Sequence, residues 1–264
     1  MKYIYFTKYL RSLDVAGLIE FCKSVGLDGV DMAVRPGYPV RPDNMLRELP
    51  AAAGQLRDAG LMIGLVTMPT DLNDPDANSA RAFFEACAKA SVPAIKIGYF
   101  TYRDRYDDSL NEARKRLAGF ARLAAEHKVK ACYHTHSGSY LGNNGASLRL
   151  LLADTDPHHL GAFLDTGHLA LNGGPFRMEA DLARPWLSAI AIKDFSWAKT
   201  ASGWKAAVVP AGDGIVQWSD VGKTIKTVGF NGTISLHAEY ETAELPERKR
   251  LASVELELLK AKLR

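Results

Sequence analysis

Apolar positions along the chain follow two alternating rhythms. Residues 2–6 alternate β-forming side chains, and beyond them Val15, Leu18, Ile19, Cys22 and Val25 recur at the spacing of one helix face. Ser12 or Asp14 can cap that helix, and Gly26 ends it. The cycle then repeats. A strand at 29–34 precedes a helix around 44–59 that stops at Gly60, and a strand at 61–68 precedes a helix face of Ala80, Phe83, Phe84 and Cys87. The strand at 94–98 leads to Leu110, Ala113, Leu117, Phe120, Ala121 and Ala124 on one face, and then to a strand at 129–134. An apolar run ending in Asp165 follows, then strands at 190–193 and 233–239, and a closing helix that carries Leu251, Val254, Leu258 and Leu259.

Eight strands centred near residues 4, 31, 65, 96, 132, 163, 191 and 236, separated by helices, demand parallel pairing with right-handed crossovers. Eight such units in roughly 250 residues predict an α/β fold, a single closed (β/α)8 barrel running through 1–264 as one domain. An open doubly wound sheet is the runner-up, but it usually has fewer strands, and no glycine-rich phosphate loop follows the first strand here.

Composition narrows the function. With 264 residues, 47% apolar and 24% charged, the chain can bury a large core, and its net charge of +3 is spread without a basic stripe for a phosphate backbone. A nucleic-acid partner is therefore disfavoured. No apolar run reaches the roughly 18 residues of a membrane span, and the first residues lack a signal-peptide pattern, so no membrane partner and a cytoplasmic location are expected. Cys22, Cys87 and Cys132 are an odd number, far apart, and read as buried free thiols.

In a parallel barrel the chemistry sits at the carboxyl ends of the strands. Taking each strand's final polar residue as inward selects Arg35, Thr67, Tyr99 or Tyr102, His134, Asp165, Lys193 and Glu239, with Ala189 and Ala191 below Lys193, and Ser235 and His237 below Glu239. His134, Asp165 and Glu239 form a nitrogen-plus-two-carboxylate set suited to Mn2+, Mg2+ or Zn2+; a hydrogen-bonded polar cluster without metal is the alternative. His136 and His168, one step outward, can bind substrate hydroxyls or complete a shell. Arg35 can pin a phosphate or carboxylate, or else pair with Asp31 or Glu239. Tyr99, Phe100, Tyr102, Trp197 and Trp204 fall in loops where aromatic faces can stack on a sugar ring. The long segment 196–210 reads as a lid, a packing flap or an oligomer contact. His158 and His159 lie at the opposite end of the barrel, and His127 reads as a helix C-terminal cap.

Six segments carry a resemblance: GVDMAVRPG at 29–37, YHTHSG at 133–138, LDTGH at 164–168, IAIKD at 190–194, GDG at 212–214 and ISLHAEY at 234–240. In order and spacing the chain resembles the xylose-isomerase-like TIM-barrel superfamily, which includes sugar phosphate isomerases and epimerases, tagatose 3-epimerase-like enzymes, inosose dehydratase and the endonuclease IV group. The resemblance implies a divalent metal held by two glutamates, an aspartate and a histidine, polarising a sugar carbonyl during proton transfer between neighbouring carbons. Asp165 falls on the aspartate and Glu239 on the final glutamate. His134 stands at the first glutamate, and Ala191 at the histidine of the His-x-Lys-Asp motif, which leaves three of the four ligands at most.

Two mechanisms follow. In one, His134, Asp165 and Glu239 hold a metal, with water or His168 completing the shell, and a carboxylate or histidine takes the proton. In the other, no metal binds, the Lys193 ammonium stabilises the oxyanion and His134 is the base. The expected function is isomerisation or epimerisation of a sugar, sugar phosphate or polyol through an enediol. A keto-sugar or keto-inositol dehydratase or lyase is the first alternative, a non-catalytic carbohydrate-binding barrel the second. A homo-oligomer is left open.

Overall fold

The computed structural model describes residues 1–240 and 244–263, and its first eight elements already show the alternation read from the sequence. β1 (Lys2–Phe6) leads to α1 (Val15–Val25), β2 (Gly29–Ala33) to α2 (Met45–Asp58), β3 (Met62–Thr67) to α3 (Asn78–Ala90) and β4 (Ala94–Lys96) to α4 (Tyr106–His127). β5 (Lys130–His134) leads to α5 (Gly145–Leu152), and β6 (Leu160–Asp165) to α6 (Thr166–Leu171) and α7 (Phe176–Ala183). After β7 (Leu187–Ile192) the chain inserts two strands, β8 (Asp194–Thr200) and β9 (Gly203–Val209), before α8 (Trp218–Thr227), β10 (Thr233–Leu236) and α9 (Leu245–Leu263).

Parallel pairing in the order β1-β10-β7-β6-β5-β4-β3-β2 closes the barrel, so both faces of every barrel strand are covered. That is why strands such as β6, buried at all six positions, read as almost unbroken apolar runs rather than as alternation. Local chemistry fixes the turns. The Asp14 carboxylate accepts from Gly17 N at 2.8 Å at the start of α1, and Gly26 leaves the helix with φ 81°, a conformation that costs other residues. Cys22, Cys87 and Cys132 are free and buried, as expected.

The interior of the barrel has two levels. Ile4, Leu65, Cys132, Phe163, Ala189 and Ala191 form a dry plug, in which the two small alanines of β7 sit with the large Phe163 ring of β6. Ala191 belongs to this apolar level. Above it stand Asp31, Thr67, Lys96, His134, Asp165, Lys193 and His237, all buried and all polar. Burying so many ionisable groups is tolerable only where they pair, and their pairing organises the site.

Segment 196–210 corrects one expectation. It is not an irregular loop but largely the antiparallel hairpin β8-β9, paired from Asp194↔Val209 to Thr200↔Gly203. Its base is fastened by Asp194, whose carboxylate accepts from the backbone of Phe195, Gly212, Gly214 and Val216 and from Trp218 Nε1, at 2.9 to 3.2 Å. Gly214 makes this possible, because a Cβ there would run into the Asp194 carboxyl group.

Candidate active site

Three strand ends hold the central cation. The Lys193 side chain leaves the end of β7 and places Nζ 2.5 Å from Glu239 Oε1, 3.7 Å from Asp165 Oδ2 and 3.4 Å from His168 Nε2. Burial alone would lower the Lys193 pKa, but the two carboxylates outweigh it and raise it. Burial likewise pushes the Glu239 and Asp165 carboxyls up, yet the facing cations hold both well below the usual range. Lys8 closes a second ion pair on Glu239 Oε2. The backbone of Lys193 is fixed by Thr166, which accepts from Lys193 N at 3.0 Å and donates to Lys193 O at 2.8 Å.

His134, at the end of β5, hydrogen-bonds through one ring nitrogen and turns the other toward a carboxylate. Nδ1 lies 2.9 Å from the Tyr99 hydroxyl, and Nε2 faces Asp165 Oδ2 at 3.4 Å. With Tyr99 donating, the proton belongs on Nε2, toward the carboxylate. Burial keeps this imidazole neutral, its pKa lowered to about 3. Asp165 Oδ1 meanwhile caps α6 by accepting from His168 N at 2.9 Å.

A second relay backs the first. Asp31, inward on β2, accepts from Thr67 Oγ1 at 2.7 Å and Ser235 Oγ at 3.1 Å, and His237 Nε2 lies 3.3 Å from it. His237 Nδ1 lies 3.6 Å from Glu239 Oε1, and its ring stacks on that of His134 with centroids 5.3 Å apart. Burial lowers the His237 pKa, but Asp31 and Glu239 more than reverse this, so it is raised.

The cavity above these groups measures about 80 Å³ and is walled by Phe6 and Tyr99, with Lys8, Arg35, Lys96, Lys193, His136 and Glu239 around it. His136 donates Nδ1–H to the Ser137 carbonyl at 2.9 Å, which leaves Nε2 as an unprotonated acceptor. Burial lowers its pKa.

Of the residues expected to act together, Arg35, Tyr99, His134, His136, Lys193 and Glu239 line this cavity, and Asp165 lies directly behind it. Others do not. Tyr102 is 47% exposed and donates its hydroxyl to Asp104 O, and Trp197 is 48% exposed in the hairpin. Neither lines the cavity, because hairpin and loop carry their rings into solvent. His168 is buried beside the site, outside the cavity lining, with Nδ1 on Ser137 Oγ at 2.9 Å and Nε2 3.4 Å from Lys193 Nζ. Burial drives its pKa down to about 2. No pairing of Arg35 with Asp31 or Glu239 occurs among the described residues, and Arg35 Nε is buried without a partner.

The expected donor trio also changes. Glu239 is taken up by Lys193 and Lys8, and the three donor atoms that cluster within 4.8 Å belong to His134, Asp165 and His237. Sequence reasoning passed over Lys96 and the roles of Asp31 and His237. The signal for Lys96 was its position between the outward Ile95 and Ile97, which puts it inward with Ala94.

Comparison with known proteins places this geometry. The sequence pattern described as a xylose isomerase-like TIM barrel matches residues 19–262. The inosose dehydratase of Lactiplantibacillus plantarum is 35% identical over 78 residues, 30% of this chain and 24% of that protein, so the match spans about a quarter of the relative's length. Among solved structures, the apo form of 3-keto-D-glucoside 4-epimerase, YcjR, from E. coli superposes with a TM-score of 0.76 at 12% identity, covering 99% of each chain. The IOLI protein with a bound zinc atom gives a TM-score of 0.76 at 15% identity, over 99% of this chain and 96% of that one. At such identities the structural likeness speaks for the fold. Among the described residues, no helix is long and apolar enough to cross a membrane.

Proposed function

The chain belongs to the xylose isomerase-like TIM-barrel family, and on that premise we propose that it is a sugar or sugar phosphate isomerase or epimerase. The reaction is removal of a proton from the carbon beside a carbonyl, and the observation that carries it is the Lys193 ammonium, held in the cavity by Glu239 and Asp165. A substrate carbonyl oxygen accepting from Lys193 gains negative charge as the proton leaves. A fixed ammonium in a water-poor pocket stabilises that enediolate by several kcal/mol.

A divalent ion, which the family pattern suggests, fits these residues poorly. His134 Nε2, Asp165 Oδ2 and His237 Nδ1 are buried without hydrogen-bond partners, as a donor trio would be. The charge balance opposes a metal, however: Lys193 already lies 3.7 Å from the same Asp165 oxygen, and Lys8 and Lys193 between them neutralise Glu239. A second, doubly charged cation beside that ammonium would be repelled in a low-dielectric pocket. In this reading Lys193 takes the electrostatic role, and no step runs through a metal.

Glu239, clamped by two ammonium groups, positions Lys193 rather than taking a proton. His134, hydrogen-bonded to Tyr99 through Nδ1 and facing Asp165 through Nε2, positions both. Arg35, which makes no ion pair among the described residues, gives the cavity rim a positive group that suits a substrate carrying a carboxylate or phosphate.

A dehydratase is the second reading, favoured by the 35% identical inosose dehydratase segment, and it begins with the same proton removal. Proton NMR in deuterated water separates the two. Epimerisation keeps the formula and exchanges one carbon-bound hydrogen, while dehydration loses water. Saturable binding of keto-sugars without any hydrogen exchange would end both readings in favour of a non-catalytic barrel.

A further inference from the structure

Lys96 closes β4 and is 3% exposed, with Nζ 3.7 Å from the centroid of the Tyr99 ring. It pairs in register with Thr67 of β3, and both line the cavity. Among the described residues no carboxylate oxygen comes within 4.0 Å of Lys96 Nζ, whereas Lys193 has two such partners. One cavity therefore holds two lysines in opposite settings, one clamped by acids and one resting on an aromatic face.

We propose that Lys96, as a neutral amine, is the general base that removes the proton beside the substrate carbonyl. This rests on the function proposed above. The C–H bond breaks and an N–H bond forms on Lys96. The electron pair moves into a new carbon–carbon double bond, and the carbonyl π pair moves onto the oxygen that accepts from Lys193. Return of the proton from Lys96 to the former carbonyl carbon, as the hydroxyl proton on the deprotonated carbon passes to the former carbonyl oxygen, completes the isomerisation and regenerates the amine. Tyr99 stabilises the transient ammonium through its π face.

The surroundings suit that cycle. Burial pushes the amine's pKa down, Arg35 and Lys193 push further, Asp31 and Glu239 pull back, and the balance falls at about 7 from an ordinary 10.5. His134 and His136, which line the same cavity, are kept neutral by burial, so they add no positive charge at neutral pH. Two lysines pushed apart in this way make an acid–base pair.

Nitrogen-15 NMR of side-chain-labelled protein, with Lys96 assigned from Lys96→Arg, tests the amine without any substrate. A midpoint near 7 for Lys96 is expected, with that of Lys193 raised above the ordinary lysine value; an ordinary midpoint for Lys96 overturns the proposal. The catalytic arm follows hydrogen exchange of D-fructose, D-fructose 6-phosphate and 2-keto-myo-inositol in deuterated water. Lys96→Ala and Lys96→Met should each lose roughly 100-fold or more in rate with KM nearly unchanged, and added methylamine should restore Lys96→Ala in proportion to its concentration. If the wild type exchanges these hydrogens and both variants do so within threefold, the base is elsewhere and only the Lys96 proposal falls. If the wild type exchanges none of the three, the functional reading fails and takes this one with it. A borohydride-trapped adduct on Lys96 would make it a nucleophile and overturn its role as a base.

Discussion

Lys193 Nζ and Glu239 Oε1 lie 2.5 Å apart, although 46 residues separate them in the chain, and this contact joins the end of β7 to the end of β10. Replacing the ammonium should be felt twice. Lys193→Met should lower the exchange rate by about 10²–10³ if the ammonium stabilises the oxyanion. It should also destabilise the fold by about 3 kcal/mol, because Glu239 and Asp165 remain buried with too little positive charge. Steady-state kinetics and urea unfolding measure the two separately, and a fully active variant would remove Lys193 from the mechanism.

The same residue decides the metal question. Wild-type protein purified without chelator or nickel should carry far less than one equivalent of Mn2+, Mg2+ or Zn2+ by inductively coupled plasma analysis, and EDTA should leave activity intact. Lys193→Ala removes the competing cation from His134, Asp165 and His237, so calorimetry should detect tighter zinc binding than in the wild type. Stoichiometric metal in the wild type, lost on Asp165→Ala, would restore the metal mechanism.

Tyr99 and Trp197 are both aromatic residues near the mouth, yet opposite outcomes are expected. Tyr99→Phe removes the hydroxyl 2.9 Å from the buried His134 Nδ1 and should cost about 1–3 kcal/mol, visible as a lowered Tm. Trp197→Ser, in the exposed hairpin, should change stability by no more than about 0.5 kcal/mol and leave kcat/KM within twofold. A large loss of substrate affinity in Trp197→Ser would mean that the hairpin folds over the cavity.

Glu255 supplies a pH signature away from the site. Its buried carboxyl accepts from Ala211 N at 2.9 Å, and burial raises its pKa from 4.5 to about 7. A pKa raised on folding stabilises below the unfolded value, and that contribution disappears as pH climbs through the folded one. Wild-type stability should therefore fall relative to Glu255→Gln between pH 4.5 and 7, by up to about 3 kcal/mol. Thermal melts of both proteins across that range check the sign; parallel curves would refute it.

The barrel was legible because its physics is local and repeated. Strands buried on both faces must be apolar, helices must show one apolar stripe, and eight repetitions admit few closures. The strand ends near Asp165, Lys193 and Glu239 were legible for the same reason. Pairing was not. Asp31 meets His237 across 206 residues, and Glu239 chooses Lys193 over a shared donor set, choices made by charge balance in three dimensions. Lys96 escaped notice because an isolated lysine in a strand usually reads as solvated, and the flanking Ile95 and Ile97 outweigh that habit only once the barrel is closed. Trp197 went astray because an aromatic residue in a connection carries no signal of direction.

Asp194 follows Lys193 directly, and its carboxylate ties down the foot of the β8-β9 hairpin with five hydrogen bonds. The ammonium is thereby insulated from whatever happens at the far end of that hairpin. The turn between Thr200 and Gly203 is accordingly a place where a peptide tag or a fluorophore attachment point can be spliced in, giving a handle on the molecule that leaves its chemistry undisturbed.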